Sequence, residues 1–433
     1  MDSNIIAALD IGTHQTRLLI GNYLNPTHQQ VLGLGVSLSQ GVNRGRITNI
    51  AQASISIRQA LEQATEMAEA EIHQVRVGIG GSRMICRKAH GMILRKDGQQ
   101  EIQEADLQQL HQEIYGHLLP DGWEMVGVIP LGYQIDYEEE TMDPVGRLGV
   151  RLEGEYLILA VESQMLNHLR RSLEKAGLHA EEWMLTPVSS TEAVINAQEK
   201  EAGIAVVDIG SGTTDLAIYS NGRLQYISSL PVAGQDITRD LMEGCQLPED
   251  KAELLKIRFG SAWKDQIPED EYISVRNFQH RPPHVISRKN VSHIIEARIL
   301  DILEWVHSEL IKSGLDEQLT AGLVLTGGAA QLPGLEAMAT IVCQQPTRVG
   351  HPNQYATPGA RGLSDLSSPG QSGTLGLLRG CSGQDFLPTQ FSQKPKTGFR
   401  FSKANTRPLH RVSVWWKQAQ ALLLDESADY VFD

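Results

Sequence analysis

The chain has 433 residues, of which 41% are hydrophobic and 21% charged, and its formal net charge is −14. This composition is typical of a soluble globular protein with two or more domains, and the acidic balance argues against a general nucleic-acid binder. The four cysteines lie far apart in sequence and indicate neither a disulfide framework nor a zinc site: Cys86, Cys245, Cys343 and Cys381.

The N-terminal stretch, residues 5–21, predicts a β-hairpin with a polar tip. An apolar strand ends at Asp10, Gly12-Thr13-His14 begins the turn, and a second apolar strand follows. The apolar run before Asp10 is too short for a signal peptide, and no later segment is long enough to span a bilayer. Because the cysteines show no paired spacing, we expect a protein of the reducing cytosol.

An α/β layer and an insertion follow the first hairpin. Strands at 31–36 and 75–81 flank a helix at 50–71. Residues 82–163 have a different pattern, with a helix at 104–118 and no glycine-rich phosphate loop. The strands predicted in this region are at 84–93, 124–130, 132–136, 149–152 and 156–161. We interpret this region as an inserted α+β subdomain for protein contacts, or alternatively as an elaboration of the core.

A second hairpin at 203–218 repeats the first, after a helix at 164–176. Its first strand ends at Asp208, and its tip at 210–213 reads Gly-Ser-Gly-Thr. Glycines let a ligand approach the backbone, and N–H groups with hydroxyls suit phosphate oxygens, beside which Asp208 would hold a divalent ion. One such hairpin could be an ordinary turn, but two copies predict two similar domains that face each other across a nucleotide.

The rest of the second domain carries two further candidate contacts with a nucleotide. Glu253 and Lys256 are three residues apart on a predicted helix, where they could reach a ribose or pair with each other. The stretch 268–289 predicts a hairpin or loop, and 291–313 predicts a long helix. A Gly-Gly turn at 327–328 then joins a strand to a helix, so a flat base could lie against its backbone.

The C-terminal region differs from the acidic body. Between Asp385 and Asp425 there is no acid but seven lysines and arginines. We predict a flexible basic linker at 384–408, an amphipathic helix at 409–424 and an acidic tail at 425–433 that points away from lipid. The residues expected to bind an anionic membrane surface are Arg411, Val412, Trp415, Trp416, Lys417, Ala419, Leu422 and Leu423. The alternative is a helix that docks in a protein groove.

Three motifs carry a resemblance to a known superfamily. The stretches 10–13 (Asp-Ile-Gly-Thr), 208–213 (Asp-Ile-Gly-Ser-Gly-Thr) and 325–329 (Leu-Thr-Gly-Gly-Ala) resemble, in order and spacing, the two phosphate motifs and the adenosine motif of the actin, chaperone and sugar-kinase ATPases. Within that superfamily the chain resembles the bacterial cell-division FtsA family over nearly its whole length. The matching stretches are 41–45 (Gly-Val-Asn-Arg-Gly), 128–130 (Val-Ile-Pro), 143–146 (Asp-Pro-Val-Gly), 200–203 (Lys-Glu-Ala-Gly), 231–234 (Pro-Val-Ala-Gly), 252–256 (Ala-Glu-Leu-Leu-Lys) and 373–378 (Gly-Thr-Leu-Gly-Leu-Leu).

The resemblance implies an α/β, actin-like fold of two duplicated ribonuclease-H-like domains. An inserted α+β subdomain of the SHS2 type and a C-terminal amphipathic helix would complete it. The expected subdomains are 1A (1–81, 164–202 and 366–383), 1C (82–163), 2A (203–235 and 313–365) and 2B (236–312).

The resemblance also implies that ATP and Mg²⁺ bind in the cleft. Asp10 and Asp208 would hold the ion largely through water. The expected nucleotide contacts are Gly12, Thr13, His14, Gly210, Ser211, Gly212, Thr213, Gly234, Glu253, Lys256, Gly327 and Gly328. Many superfamily members place Gln or Glu before the helix that connects the domains, where this chain has Thr186. A threonine is a poor general base, and Glu192 is a less suitable substitute, so slow or negligible hydrolysis is expected.

The function implied is that of a cell-division protein that self-assembles and tethers FtsZ filaments, the Z ring, to the cytoplasmic face of the inner membrane. It would also help to recruit later division proteins at the division site, and it would not bind nucleic acid. The C-terminal tail of FtsZ would dock on subdomain 2B, where Arg298 would meet it. The alternative for Arg298 is an exposed pair with Glu304 or another neighbour on its helix.

Three other functions compete with this one. A pilus-assembly-type adaptor is the nearest alternative, and the basic linker and tryptophan helix count against it. An ATP-dependent small-molecule kinase would have no use for a lipid-binding helix. A DnaK-type chaperone would need a large β domain after residue 380, for which the remaining residues are too few.

Overall fold

The structure, a computed structural model, describes residues 5–25, 28–115, 119–275, 284–352, 366–380 and 431–432. Within these residues the strands are β1 (Ile5–Ile11), β2 (Gln15–Asn25), β3 (His28–Leu38), β4 (Val42–Asn43), β5 (Arg46–Ile47), β6 (Gln74–Ile79), β7 (Met84–Leu94), β8 (Trp123–Ile135), β9 (Arg151–Glu162), β10 (His179–Leu185), β11 (Ile204–Ile209), β12 (Thr214–Ser220), β13 (Arg223–Leu230), β14 (Tyr272–Val275), β15 (His284–Ser287), β16 (Leu323–Thr326), β17 (Thr347–Val349) and β18 (Val431–Phe432). The α-helices are α1 (Ile50–Ala68), α2 (Glu104–Tyr115), α3 (Ser163–Ala176), α4 (Thr186–Val194), α5 (Ala197–Ala202), α6 (Gly234–Cys245), α7 (Glu249–Phe259), α8 (Arg288–Ser313), α9 (Leu335–Cys343) and α10 (Ser372–Arg379).

Two five-stranded sheets share one topology. Their strand orders are β3-β2-β1-β6-β10 and β13-β12-β11-β16-β17. In each sheet the three strands at one side run antiparallel to their neighbours, and the remaining two pairings are parallel. The duplication predicted from the two hairpins is therefore confirmed at the level of whole sheets.

Strand β11 explains the continuous apolar run that precedes the second hairpin's acid. Ala205, Val207 and Ile209 pack in the core of the second domain, whereas Ile204 and Val206 pack against the core of the first. Successive side chains of a strand point to opposite faces, so a strand covered on both faces needs apolar residues throughout. This strand, which carries an acid at its end, is thus held from both sides.

The insertion forms a separate layer. Strands β7, β9 and β8 make a three-stranded antiparallel sheet, on which α2 packs. Its small core is formed mainly by Ile93, Ile102, Leu107, Leu110, Ile114, Val128, Tyr133, Ile135, Leu152, Tyr156 and Ile158.

Two pairs of predicted strands in the insertion are single strands, which corrects the sequence interpretation. The pieces at 124–130 and 132–136 join in β8, because register shifts after Met125 and after Pro130 absorb the extra residues as bulges. The pieces at 149–152 and 156–161 join in β9, which starts at Arg151.

Other element bounds differ by a few residues. Helix α1 ends at Ala68 because Glu69 takes a left-handed conformation with φ of 50°, whereas the sequence predicts an end at 71. Helix α8 begins earlier than predicted, at Arg288. Strand β13, which no sequence pattern singled out, pairs with β12 in the second sheet.

The second domain carries a subdomain with helices α6, α7 and α8 and the hairpin β14–β15. The hairpin confirms one of the two alternatives at 268–289. Strand β18, near the end of the chain, runs parallel to β14 on the side away from β15.

Candidate functional site

The two polar hairpins have the same geometry as well as similar sequences. Residue 11 pairs with residue 16 at the end of the first hairpin, and residue 209 pairs with residue 214 at the end of the second. The Gly12 N–H donates to the Gln15 carbonyl at 3.1 Å, and the Gly210 N–H donates to the Thr213 carbonyl at 2.9 Å. The repeated motif therefore encodes one turn in two places.

The tips of the hairpins meet. A Cβ added to Gly212 would overlap the Thr13 hydroxyl and lie 2.9 Å from the Arg44 Cα. The Thr13 hydroxyl in turn accepts a hydrogen bond of 2.9 Å from the Gly45 N–H. Glycine is needed at 212 because a side chain would push the second domain away from the first.

Acids lie at the base of both hairpins, in equivalent positions. Asp10 is opposite Arg17 on β2, whereas Asp208 is opposite Asp215 on β12. Ser190 of α4 donates a short hydrogen bond to Asp208. Asp215 accepts hydrogen bonds from Ser229 and, at 3.3 Å, from Thr213.

The pKa values of the three carboxyls are raised. Burial raises the pKa of Asp10, although the nearby Arg17 opposes this shift. Burial raises the pKa of Asp208 to about 6. The Ser190 hydrogen bond opposes this rise, and the charge of Asp10 adds to it. Burial likewise raises the pKa of Asp215 to about 7, with a smaller contribution from Asp208. These shifts indicate negative charge that a bound cation would stabilise.

A magnesium ion fits Asp10 and Asp208. Both residues are half-buried, at the ends of the strands that lead into the two tips. The described residues hold no cluster of three or more His, Cys, Asp or Glu side chains placed to ligate a metal. Two carboxylates without a closed cage of protein ligands suit Mg²⁺, which usually retains several waters.

The Gly-Gly turn adjoins the second hairpin. Strand β16 is parallel to β11, with Thr326 beside Asp208. Gly327 has φ of 89°, and a Cβ there would overlap the Asp208 carboxylate. At Gly328 an added Cβ would have no atom within 4 Å, so the backbone there is open to a ligand. The turn thus has the close approach and the accessible backbone that a base contact requires.

A cavity of about 510 Å³ lies between the domains. Its lining residues are Thr13, His14, Ser211, Gln235, Thr238, Glu249, Asp250 and Glu253. Helix α6 is fixed to the second tip, because the Gly234 N–H donates to the Gly210 carbonyl at 3.1 Å and the Gln235 N–H to the Ser211 carbonyl at 2.7 Å. The carboxylates on α7 could accept hydrogen bonds from ribose hydroxyls and would repel phosphates.

Lys256 and Glu253 pair with each other, one of the two alternatives predicted from their spacing. The Lys256 ammonium lies 2.7 Å from the Glu253 carboxylate and donates to the Gly234 carbonyl at 2.9 Å and to Thr238 at 2.8 Å. Burial lowers the pKa of Lys256, and Glu253 opposes that change. The lysine therefore fixes the start of α6 to α7 at the wall of the cavity.

An ion pair that the sequence did not reveal crosses the cleft. Arg44 of the first domain lies 2.9 Å from Asp236 on α6, which also pairs with Arg239 at 2.9 Å. Gln235, Thr238, Glu249, Asp250 and Asp215 were also missed as site residues. Only Asp215 left a sequence signal, since it is the acid that follows the second tip.

Thr186, which the sequence resemblance assigns to the usual position of the water-activating side chain, lies near Asp10. Thr186 begins α4, and a Cβ at Gly78 would lie 3.4 Å from its hydroxyl and 3.3 Å from the Asp10 carboxylate. Glu192 is buried and pairs with Lys200 at 2.5 Å. A carboxylate neutralised in that way is a poor substitute for a general base.

Arg298 is outside this cleft. It lies on α8 and pairs with Asp240 at 2.7 and 3.0 Å and with Asp301 at 2.9 Å. Asp301 is a neighbour on the same helix, as the sequence alternative allowed, although it is not Glu304, and Asp240 lies on α6. Its guanidinium therefore already has carboxylate partners on α6 and α8.

The proposed membrane-binding residues lie outside the described residues. They are Arg411, Val412, Trp415, Trp416, Lys417, Ala419, Leu422 and Leu423. Among the residues that the structure describes, none of the helices has the length and apolar character needed to cross a membrane.

Comparisons with known proteins agree with the fold. A family model described as "Cell division protein FtsA" matches residues 205–373, and one described as "SHS2 domain inserted in FTSA" matches residues 81–160. The cell division protein FtsA of Neisseria meningitidis is 34% identical over 386 residues, which cover 88% of this chain and 92% of that protein. FtsA of Bacillus subtilis is 32% identical over 352 residues, which cover 81% of this chain and 80% of that protein.

A solved structure shares the architecture. The PilM-PilN type IV pilus biogenesis complex matches with a TM-score of 0.63 and 16% identity, over 86% of this chain and 97% of that chain. At that identity the match shows a common fold alone. Together with the duplicated sheets and the matched insertion, it confirms the actin-like fold with an SHS2 domain that the sequence predicted.

Proposed function

This chain belongs to the FtsA family of cell division proteins, and on that premise we propose that it binds ATP with Mg²⁺, assembles with copies of itself and anchors FtsZ filaments to the membrane. The observation that carries the nucleotide part is the meeting of two hairpins of identical register at one cleft. Backbone N–H groups from both tips would bind the phosphates. The base would lie at the Gly-Gly turn of 327–328.

Magnesium would neutralise the phosphates and the acids together. Asp10 and Asp208 would hold it, mostly through water, at the base of the two hairpins. When bound, the ion supplies the positive charge that the triphosphate and the carboxylates share.

ATP would act mainly as a structural ligand of the closed cleft. Thr186 has no basic group to accept a proton from water, and Glu192 is paired within α4 and α5. We therefore expect slow or negligible hydrolysis. Nucleotide occupancy, rather than turnover, would then control self-assembly.

The C-terminal amphipathic helix at 409–424 would bind the cytoplasmic face of the membrane at the division site. Burying one large side chain stabilises binding by about 1.5–3 kcal/mol, and each nearby basic residue adds about 1 kcal/mol on an anionic leaflet, before ordering costs. One helix is thus a reversible anchor. A polymer with many such helices would bind much more tightly through avidity.

The SHS2 insertion would supply contacts with other division proteins or with neighbouring subunits. Four large apolar side chains at one end of its sheet are exposed: Leu94 by 67%, Tyr137 by 74%, Leu148 by 55% and Val150 by 46%. Exposed apolar residues grouped at one end of a small domain are typical of an interaction surface.

The membrane proposal is tested by co-sedimentation with anionic liposomes. The intact chain should bind more strongly with Mg-ATP than without nucleotide, and Trp415→Ala/Trp416→Ala or deletion of 409–433 should remove most binding. A matched control on the polar face of the predicted helix, Gln418→Ala/Gln420→Ala, should bind like the intact chain. If all four proteins stay in the supernatant, the membrane anchor is wrong and the helix belongs in a protein groove.

The FtsZ proposal is tested with a synthetic peptide of the FtsZ C-terminal tail. Arg298→Ala should weaken binding about tenfold, because a charge-assisted hydrogen bond is lost. Asp301→Asn should strengthen binding, because Asp301 competes for the Arg298 guanidinium. Lys312→Ala, which removes another cation of the same helix, is the control. Equal affinities for all four proteins would exclude Arg298 from the tail site.

A further inference from the structure

The first hairpin is bound to a turn that comes much later in the chain. Arg17 lies on β2, opposite Asp10. Its guanidinium donates hydrogen bonds to the Gly370 carbonyl at 2.5 Å and to the Gln15 side-chain oxygen at 2.8 Å. Gly370 belongs to a short 3₁₀ turn, Pro369–Gln371, which leads directly into α10. One side chain thus joins the hairpin of the first phosphate tip to a turn that lies 353 residues further on.

The same turn contacts the Gly-Gly turn of the second domain. The Pro369 carbonyl accepts a hydrogen bond of 3.2 Å from the Gly327 N–H. The hydroxyls of Thr326 and Ser372 lie 3.2 and 2.8 Å from that carbonyl oxygen and 2.7 Å from each other. Two successive carbonyls, at 369 and 370, therefore bind groups of opposite domains, one at the Gly-Gly turn and one at the first hairpin.

Helix α10 fixes the turn 369–371 to the first domain. The helix packs on α4 and on β1, β2 and β6, and its residues from Ser372 to Leu378 are all buried. A Cβ at Gly376 would overlap the Ser189 carbonyl, so α10 and α4 are in close contact. The Pro369 carbonyl is therefore a fixed point of the first domain that holds the Gly-Gly turn of the second.

The Gly-Gly turn is held at its first residue and open at its second. Gly327 is buried, and a Cβ there would overlap both the Asp208 carboxylate and the Ile209 carbonyl. Gly328 is exposed, and an added Cβ would have no atom within 4 Å. A Cβ at Gly370 would lie 3.7 Å from the Gly328 Cα, so the two backbones are neighbours. The contacts of 327 and 370 therefore set the position of the accessible backbone at 328.

An arginine suits position 17 better than a lysine. Its planar guanidinium presents several N–H donors in a fixed geometry, so it can bind the Gln15 oxygen and the Gly370 carbonyl at once. A lysine would keep a positive charge opposite Asp10 but would supply only a flexible ammonium. One substitution can therefore separate the charge at residue 17 from its geometry.

We propose that Arg17 is a positioning residue for the nucleotide base: through the turn 369–371 it fixes the Gly-Gly turn at 327–328 relative to the first phosphate hairpin. The proposal rests on the nucleotide site proposed above. Arg17 sets the spacing between a phosphate at the first tip and a base at 327–328. It thereby favours a nucleotide over a phosphate chain that has no base.

Hydrogen exchange on the full-length, nucleotide-free protein tests the positioning itself. In Arg17→Lys the Gly327 amide should exchange about tenfold faster, because the turn that carries its acceptor loses a charge-assisted hydrogen bond. Arg76→Lys is the matched control. Arg76 lies on β6 and donates to the Leu378 carbonyl at 3.1 Å, at the opposite end of α10, so the Gly327 amide of this variant should exchange like that of the unchanged protein.

Ligand affinities separate positioning from charge. Calorimetry compares Mg-ATP with Mg-tripolyphosphate, which has the phosphates but no base. In Arg17→Lys the affinity for Mg-ATP should fall about tenfold and that for Mg-tripolyphosphate less than twofold, because the charge opposite Asp10 remains. Arg76→Lys should bind both ligands like the unchanged protein.

A change on the other side of the same turn should act in the same way. Thr326→Val removes a hydroxyl beside the Pro369 carbonyl and should lower the affinity for Mg-ATP about threefold, with little effect on Mg-tripolyphosphate. The double variant with Arg17→Lys should lose less than the two single losses combined, because both changes act through one turn. Fully additive losses would show that the two residues act independently and would overturn the link between them.

The remaining outcomes distinguish failure of this proposal from failure of the proposed function. Equal losses for the two ligands in Arg17→Lys would mean that Arg17 acts on the phosphates, and faster Gly327 exchange in both arginine variants would mean that it only stabilises α10. Either result overturns the positioning role, as does an unchanged preference for ATP in Arg17→Lys. If the unchanged protein binds Mg-ATP no more tightly than Mg-tripolyphosphate, the base site of the proposed function is wrong, and the role of Arg17 fails with it.

Discussion

The two hairpins of the cleft are copies that differ at one decisive pair. In the first, Asp10 is opposite Arg17; in the second, the equivalent Asp208 is opposite Asp215. The turns share their register and their closing hydrogen bond. The backbone was thus duplicated with little change, whereas the charge beside the acid was reversed.

The reversed charge indicates that the second half of the site depends more strongly on a bound cation. The first hairpin carries its own cation, which opposes the rise in the pKa of Asp10. The second carries two acids whose pKa values reach about 6 and about 7. Hydroxyl hydrogen bonds oppose both rises, and the charge of Arg17 also opposes that of Asp208. We infer that the second copy sets the affinity for magnesium and that the first positions the phosphates.

The largest effect is expected from separating the copies. In Gly212→Ala the added methyl would overlap Thr13 and approach the Arg44 Cα at 2.9 Å. The tips should move apart and Mg-ATP affinity should fall at least about a hundredfold, since small misplacements are costly at such a site. Calorimetric titration measures the loss. Gly132→Ala, whose methyl would meet only Glu140 at 3.4 Å, is the control. Equal Mg-ATP affinities in the two variants would show that the contact between the tips is not needed for phosphate binding.

The next effect concerns the stability of the nucleotide-free protein. The raised pKa of Asp215, about 7 against an ordinary 3.8, means that the folded protein holds the proton more tightly than the unfolded chain. Stability should therefore fall as the pH rises from about 4 to about 7. Asp215→Asn should be more stable at pH 8 by an amount on the order of 2 kcal/mol and should lose much of this pH dependence.

Urea unfolding at pH 4 and pH 8 provides the measurement for Asp215→Asn. The two proteins should differ little at pH 4, where the carboxyl is protonated in the folded state, which makes the low pH an internal control. A variant that is less stable than the unchanged protein at pH 8 would show that the ionised Asp215 stabilises the nucleotide-free fold.

A smaller effect should separate the two metal-holding acids. Asp208→Asn should reduce the gain in ATP affinity on adding Mg²⁺ about tenfold, and Asp10→Asn about threefold, because Arg17 already offsets part of the charge of Asp10. Titrations with Mg²⁺ and with a chelator give both ratios. Equal losses, or a larger loss for Asp10→Asn, would contradict the assigned asymmetry.

The smallest effect is expected at the mouth of the cleft. Arg44→Ala removes the ion pair with Asp236, which keeps Arg239 as a partner. Because Arg44 is substantially exposed, the loss should be about 0.5–1 kcal/mol, or a twofold to fivefold weakening of Mg-ATP binding. A loss as large as that of Gly212→Ala would mean that the pair, rather than the hairpin tips, holds the domains closed.

The sequence predicted what repetition and local spacing encode. Two copies of a strand-acid-glycine pattern predicted the duplicated domains, and the three-residue spacing of Glu253 and Lys256 placed them on one helix face. Asp215 was visible as an acid after the second tip, but its role depends on burial and on the residue opposite it. Those are properties of the folded sheet.

Other features depend on contacts between distant segments. Gln235 and Thr238 line the cavity because α6 is hydrogen-bonded to the tip of the second hairpin, which no spacing within α6 reveals. The merged strand β8 and the pairing of β18 with β14 likewise depend on partner strands elsewhere in the chain. Long-range pairing, rather than local propensity, decides such features.

The most direct test of the account is whether both copies contact one nucleotide. Thr13 and Ser211 occupy equivalent places in the two tips, and Mg-ATP affinity can be measured for Thr13→Val, for Ser211→Ala and for the double variant. The account predicts that each single change weakens binding about tenfold and that the double change costs less than their sum, because both residues contact the same phosphates. Unchanged affinity in either single variant would contradict a nucleotide site shared by the two hairpins.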